Sequence, residues 1–279
     1  MKNNQKLFIF LIKLKIYVIS LISIHWAAKV AIQIFTTPFR KPKPFEPEIF
    51  KKAERFNIIV DRLKIQGYRW QKEAVKKILI VHGFESRAYN FDRYVVPLLE
   101  KGYAVFAMDA KAHGFSEGKT ITLPEYTEML CELEKQFGAF DGYISHSFGG
   151  IAICLFEEMH NHPNTKLVLI APATETITSI QLFCKFLKLK DRVRLGIHDY
   201  IYKKSGFRVE HFSIKRIAPL LTNSILWIHD EDDDITPLAD VTPIIESAQK
   251  NIHFVITRGL GHRRIYKDSL VVQQVIDFL

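Results

Sequence analysis

Cysteine is scarce, with only Cys131, Cys154 and Cys184 in a chain of 279 residues. Their odd number and irregular spacing leave no CxxC pair for zinc and no disulfide framework of the secreted kind. Two of them fall within apolar helical patterns, as buried reduced thiols do. A reducing, cytoplasmic compartment is the expectation. Acidic residues are missing from positions 1–43, which hold Lys2, Lys6, Lys13, Lys15, Lys29, Arg40, Lys41 and Lys43. Taking these eight from the 39 basic residues leaves 31 against 30 acidic ones, so the net charge of +9 belongs to the tail. A nucleic-acid protein would carry its basic patch on the folded body beside a binding motif. None is found, and nucleic acid is not an expected partner.

A long uninterrupted apolar run is missing too. Residues 7–35 are strongly apolar, yet their longest stretch free of Lys, Arg, Asp and Glu is 16–28, 13 residues long. Spanning a bilayer takes about 20, and Lys13 and Lys15 break the single apolar core that a signal peptide needs. At about 100° per residue Lys2, Lys6 and Lys13 share one helix face, while Lys15 and Lys29 lie opposite. The segment therefore lacks one clean amphipathic stripe. Three arrangements stay open: a helix lying on a membrane surface, a helix packed on its own domain, and a single-pass anchor with snorkelling lysines. Internal repeats and low-complexity tracts are also missing.

What is present has a clear order. The apolar, basic segment covers residues 1–36. Pro38, Pro42, Pro44 and Pro47 then forbid regular structure and mark 37–54 as a semi-rigid linker. With 48% hydrophobic residues the remainder, 55–279, can bury a sizeable core. Short runs rich in branched residues recur at 77–82, 102–108, 140–146, 166–171, 224–229 and 252–257. They are continuous rather than alternating, the mark of strands buried on both faces. Helical patterns at 90–101, 123–137, 148–160, 240–249 and 266–279 separate most of them. An α/β fold follows, with a mostly parallel sheet flanked by helices and a front-edge hairpin within 55–70. One gap, 173–223, is far too long for a crossover. It holds 10 basic and 4 acidic residues, with Leu182, Phe183, Phe186 and Leu187 at helical spacing, and reads as a helical insertion.

Several strand ends carry chemistry. Ser145-His146-Ser147-Phe148-Gly149-Gly150 lies where a strand passes into a helix. A hydroxyl lifted clear of the sheet on a tight turn needs small neighbours, and Ser145, Gly149 and Gly150 provide them. A serine nucleophile needs a base, and His262, on the glycine-flexed loop RGLGHRR after the last strand, emerges at the same sheet edge. A carboxylate must then meet the other imidazole nitrogen. Asp230-Glu231-Asp232-Asp233-Asp234 closes the strand before it. Like charges at that density resist burial, so one should turn inward while the rest stay hydrated. Calcium is not expected, since the run lacks the spacing and glycine of an EF-hand loop. His82-Gly83-Phe84 and the start of the helix at Phe148 offer N–H groups for an oxyanion. Asp109-Ala110-Lys111-Ala112-His113-Gly114-Phe115-Ser116 reads as a device that fixes loop geometry.

Over residues 57–279 the chain resembles the α/β-hydrolase superfamily. It shares HGF at 82–84, D-x-x-x-H-G-x-S at 109–116, SHSFGG at 145–150, HDEDDDITP at 229–237 and GLGH at 259–262, in the family's order. The resemblance implies Ser147 as nucleophile, His262 as base and Asp233 as acid, the last from aligning acid-x-x-x-Pro with Asp233 and Pro237. It further implies oxyanion N–H groups from Phe84 and Phe148, and a lid formed by 173–223. Two departures stand out: Ser145 replaces the usual glycine of the elbow, and Asp230 the glycine after the seventh strand. The expected activity is hydrolysis of carboxylic esters, including acylglycerol-like lipids, through an acyl-serine, with no metal or organic cofactor required. Acyl transfer by the same triad and a non-catalytic binding role are the alternatives.

Overall fold

The computed structural model describes residues 3–39 and 45–279. Residues 40–44, in the expected linker, lie outside the described residues, as do Met1 and Lys2. The chain forms two compact units, one of Met1–Thr37 with Glu175–Ser213, the other of Pro38–Thr174 with Ile214–Leu279.

The larger unit is built on one eight-stranded sheet. Its strands are β1 (Glu54–Val60), β2 (Leu63–Trp70), β3 (Lys77–Val81), β4 (Ala104–Met108), β5 (Gly142–His146), β6 (Lys166–Ile170), β7 (Ile225–Asp230) and β8 (Ile252–Thr257). Their spatial order is β1-β2-β4-β3-β5-β6-β7-β8. β1 and β2 form the antiparallel hairpin and β2 pairs antiparallel with β4; all other pairs are parallel. The hairpin closes through Asp61 and Arg62, both at positive φ, the twist a two-residue hairpin requires.

β4, β5 and β7 are buried at every position, as continuous apolar runs predict for central strands. β8 reads the same in sequence but is only partly buried, because it forms the sheet's outer edge. Helices Asp92–Glu100 and Ser269–Phe278 pack over one face with Tyr94, Leu98, Val271 and Val275 in its core. The Leu123–Phe137 helix starts at a capping box, Thr122 with Glu125. The Phe148–His160 helix is buried from Gly149 to Glu157. Because β3 and β5 to β8 run parallel, the segments that leave their carboxyl ends share one edge of the sheet.

The smaller unit is helical. The N-terminal segment is two helices, Asn3–Ile22 and Ile24–Phe35, divided where Ser23 caps the second by accepting from the Trp26 N–H at 3.3 Å. They pack with Thr176–Leu187 and Asp191–Ser205 around Ile16, Ala28, Ile180, Leu187, Val193 and Ile197. Close approach explains the small residues: a Cβ on Gly196 would stand 2.8 Å from Ile24 Cγ2 and 3.2 Å from Ala28 Cβ. The insertion 173–223 is thus divided, with 175–213 in this unit and 173–174 and 214–223 in the sheet unit. No helix among the described residues is long and apolar enough to cross a membrane.

Candidate active site

Ser147 follows β5 and precedes the Phe148–His160 helix, with φ of +53° and ψ of −120°. A side chain at positive φ is strained, and the surroundings hold it there. The Ser147 N–H donates to the Ile170 carbonyl at 3.1 Å, and the Ala173 N–H donates to the Ser147 carbonyl at 3.0 Å. Glycine is obligatory beside it. A Cβ on Gly149 would lie 2.5 Å from the Val81 carbonyl oxygen, and one on Gly150 would lie 2.6 Å from Pro172 Cβ. A Cβ on Gly83 would fall 2.9 Å from that of Ser147, so the loop after β3 runs directly past the serine. Ser145, in place of the family's glycine, donates its hydroxyl to the Val168 carbonyl at 2.8 Å and so buries no unpaired group.

His262 and Asp233 complete a hydrogen-bonded chain. Ser147 Oγ lies 2.9 Å from His262 Nε2, and His262 Nδ1 lies 2.8 Å from Asp233 Oδ2. All three residues are buried. Carboxylates only accept, so Nδ1 carries the ring proton and Nε2 is left free to take one from Ser147. Burial pushes the Asp233 carboxyl up. The His262 hydrogen bond and charge, with the N–H groups of Thr236 (2.8 Å) and Ile235 (2.9 Å), outweigh it and hold the group below its ordinary value. The structure thus brings together the three side chains singled out from sequence.

Phe84 and Phe148 also meet there, their rings 6.2 Å apart and edge-to-face. Phe148 opens its helix, so its N–H has no intrahelical carbonyl to reach. The loop of Phe84 is tied down from behind. The Glu85 N–H donates to His113 Nε2 at 3.0 Å, and the Ala110 N–H donates to His82 Nε2 at 2.9 Å. Asp109 accepts from the N–H groups of Ala88 (2.9 Å) and Phe115 (3.0 Å). Gly114, at φ +52°, is needed because a Cβ there would meet Asp109 Cγ at 2.1 Å. The 109–116 motif fixes loop geometry, as expected.

Three residues escaped the sequence reading. Thr236 donates its hydroxyl to Asp233 Oδ2 at 2.8 Å, with its oxygen 3.1 Å from His262 Nδ1. A hydroxyl three residues past an acid is a local signal that could have found it. Asp230 does not stay hydrated as expected of the run. It is fully buried and accepts from the Thr257 hydroxyl (2.7 Å) and the N–H groups of Gly261 (2.8 Å) and Leu260 (3.1 Å). Two carboxylates turn inward, because the second is met by the loop that carries His262. His146, buried beneath that loop, donates from Nε2 to the His262 carbonyl at 3.0 Å. Among the described residues the group able to hold a metal ion, Glu134 with His160 and His162, lies at the other end of the Phe148–His160 helix.

Comparisons with known proteins agree with this architecture. A family model described as serine aminopeptidase, S33, matches residues 72–199. The uncharacterized protein YqkD of Bacillus subtilis (strain 168) is 23% identical over 234 residues, 78% of this chain and 76% of that one. The Pyrococcus furiosus esterase Pf2001 superposes with a TM-score of 0.64 at 19% identity, covering 88% of this chain and 97% of its own. Est1E from Butyrivibrio proteoclasticus, solved with ferulic acid bound, gives 0.59 at 21% identity, over 80% of this chain and 97% of its own. At such identities these structures speak for the fold. With the strand order and the turn at Ser147, they show that this chain has the α/β-hydrolase fold.

Proposed function

We propose that the protein hydrolyses carboxylic esters through an acyl-serine on Ser147. The observation that carries this reading is the unbroken chain Ser147 Oγ–His262 Nε2–Asp233, at 2.9 and 2.8 Å, on three segments leaving one edge of the sheet. In the first step His262 takes the Ser147 proton as Oγ attacks the ester carbonyl, then returns it to the departing alcohol. In the second it takes a proton from water, whose oxygen attacks the acyl carbon, and returns that proton to Ser147 Oγ as the Oγ–acyl bond breaks and the acid leaves. Asp233 stays ionised throughout, fixing the tautomer and opposing the imidazolium charge. The N–H groups of Phe84 and Phe148 receive the oxyanion. Support for esters comes from the Pyrococcus furiosus neighbour, named as an esterase, and from Est1E, solved with a carboxylic acid, ferulic acid, bound.

The test is a p-nitrophenyl ester series of increasing acyl length, with fluorophosphonate labelling of the wild type and Ser147→Ala. Ester turnover is expected to fall by several orders of magnitude in Ser147→Ala, and labelling to vanish, while the fold is kept. Undiminished turnover in a folded variant overturns the proposal. Aminoacyl p-nitroanilides belong in the series because the matching family model is described as an aminopeptidase. Preference for them would replace the ester with an amide while keeping the residues' roles.

A further inference from the structure

We propose that Glu134, His160 and His162 bind one divalent transition-metal ion of the zinc class. The ligand atoms of the three residues lie within 4.8 Å of one another. His160 Nδ1 stands 3.4 Å from Glu134 Oε2, and His162 Nε2 stands 3.0 Å from Glu134 Oε1.

The partners on the far sides of the rings indicate what should sit between them. His162 Nδ1 is 3.1 Å from Oε1 of the fully buried Glu157, which can only accept, so Nδ1 carries the proton. In the neutral ring the Nε2 lone pair then faces Glu134 Oε1, a buried oxygen that makes no hydrogen bond. Two electron-rich atoms at 3.0 Å call for a cation. His160 repeats the arrangement, with Nε2 3.4 Å from Cys131 Sγ and Nδ1 turned to Glu134. A separation of 3.4 Å is long for a hydrogen bond. It matches the edge of a tetrahedron around zinc, about 3.4 Å for metal–ligand bonds of about 2.0–2.2 Å. A ligating histidine whose other nitrogen is held by a carboxylate is the usual outer support of such sites. Two imidazoles select zinc-class ions over magnesium or calcium. The site also lies where the Leu123–Phe137 and Phe148–His160 helices end, and both C-termini favour positive charge.

The ion has no part in the ester chemistry. Ser147 immediately precedes the 13-residue helix that His160 ends, about 20 Å away at 1.5 Å per residue. Its effect is to tie two helix ends together, which adds stability in proportion to binding.

The full chain, stripped with a chelator, is titrated with zinc by calorimetry and with cobalt followed by its visible spectrum. Wild type, His160→Gln and His262→Ala are compared. His160→Gln removes one ligand from a one-third exposed position and leaves the His162–Glu157 pair in place. The expected result is one equivalent bound in wild type and His262→Ala, and affinity at least about tenfold weaker in His160→Gln. Zinc should raise the melting temperature of wild type alone of the first two, and His160→Gln should keep wild-type ester turnover. Equal uptake by wild type and His160→Gln overturns the proposal, as does uptake lost in His262→Ala instead. In the first case the two histidines serve only to join Glu134 and Glu157 by direct side-chain contacts.

Discussion

Asp233 and Asp230 differ by three positions and do different work. Asp233 faces the imidazole, whereas Asp230 spends its oxygens on the loop that delivers it. Asp233→Asn should lower ester turnover by about 10⁴-fold with little loss of stability, because an amide turns the imidazole to the wrong tautomer. Asp230→Ala should lower both. It strands the Thr257 hydroxyl and the N–H groups of Asp232, Leu260 and Gly261, at about 1–3 kcal/mol for a buried polar group left unpaired. Displacing His262 by about 1 Å costs on the order of 10²-fold. Asp234, exposed, should tolerate Asn. Steady-state kinetics and thermal melts of the three variants check the pattern, and undiminished turnover in Asp230→Ala would contradict the positioning role. From sequence, Ser147 and His262 could be found because each marks a turn at the end of a branched-residue run. Asp230 could not, since its partners come from a segment up to 31 residues away; Thr236 left a local signal, three residues past Asp233, that can be read only once the inward-facing acid is known.

At the scale of elements, the strands and crossover helices were legible because burial on both faces leaves a continuous apolar run. β8 shows the limit of that signal: apolar content does not tell an edge strand from a central one. The loops after β3 and β4 were harder, for they depend on buried neutral histidines. His82 uses both nitrogens, accepting from the Ala110 N–H and donating to the Gly83 carbonyl at 2.7 Å. Burial pushes the imidazoles of His82 and His113 down to about 4, helped in His113 by the nearby His82. Burial lowers His146 and His229 as well. A depressed folded value means full stability above the unfolded value of about 6.5, lost as pH falls toward about 4, because the unfolded chain binds the protons first. His82 and His113 should each cost roughly 2 kcal/mol by pH 5. The melting temperature should therefore drop on the order of 10 °C between pH 7.5 and 5, and His113→Gln should shallow the slope. A flat profile across that range would refute it.

At the scale of the whole molecule, the N-terminal helices take up one of the arrangements left open by the sequence, packing within the helical unit, and leave a second apolar face exposed. The Asn3–Ile22 helix buries Ile16 and half-buries Ile9, Ile12 and Ile19 in the helical unit. Its opposite face leaves Leu7, Phe10, Leu11, Leu14, Val18 and Leu21 exposed, followed by Ile22 (79% exposed) and Trp26 (64%). At about 100° per residue Lys6 and Lys13 border that stripe on one side and Lys15 on the other. This explains why the lysines gave no single amphipathic pattern: the helix is apolar on two faces and the lysines mark the seams. A packed helix needs only the first face. The second matches a helix lying in the interface of a bilayer, with apolar side chains among the acyl chains and lysines at the head groups. Each lysine near an anionic surface adds about 1 kcal/mol, and each fully buried large apolar side chain about 1.5–3 kcal/mol. Deleting residues 1–43 is a poor test, since it would uncover Ile180, Leu187, Val193 and Ile197 and destabilise the unit whatever the exposed face does. Substitution on the exposed stripe separates the two effects. Full-length protein should co-sediment with anionic vesicles more than with neutral ones, and less at high salt. The variant Phe10→Glu/Leu14→Glu/Leu21→Glu should lose that binding while keeping its melting temperature and its turnover of a soluble ester. Equal sedimentation of variant and wild type, or none by wild type, would show that the exposed face does not bind membranes.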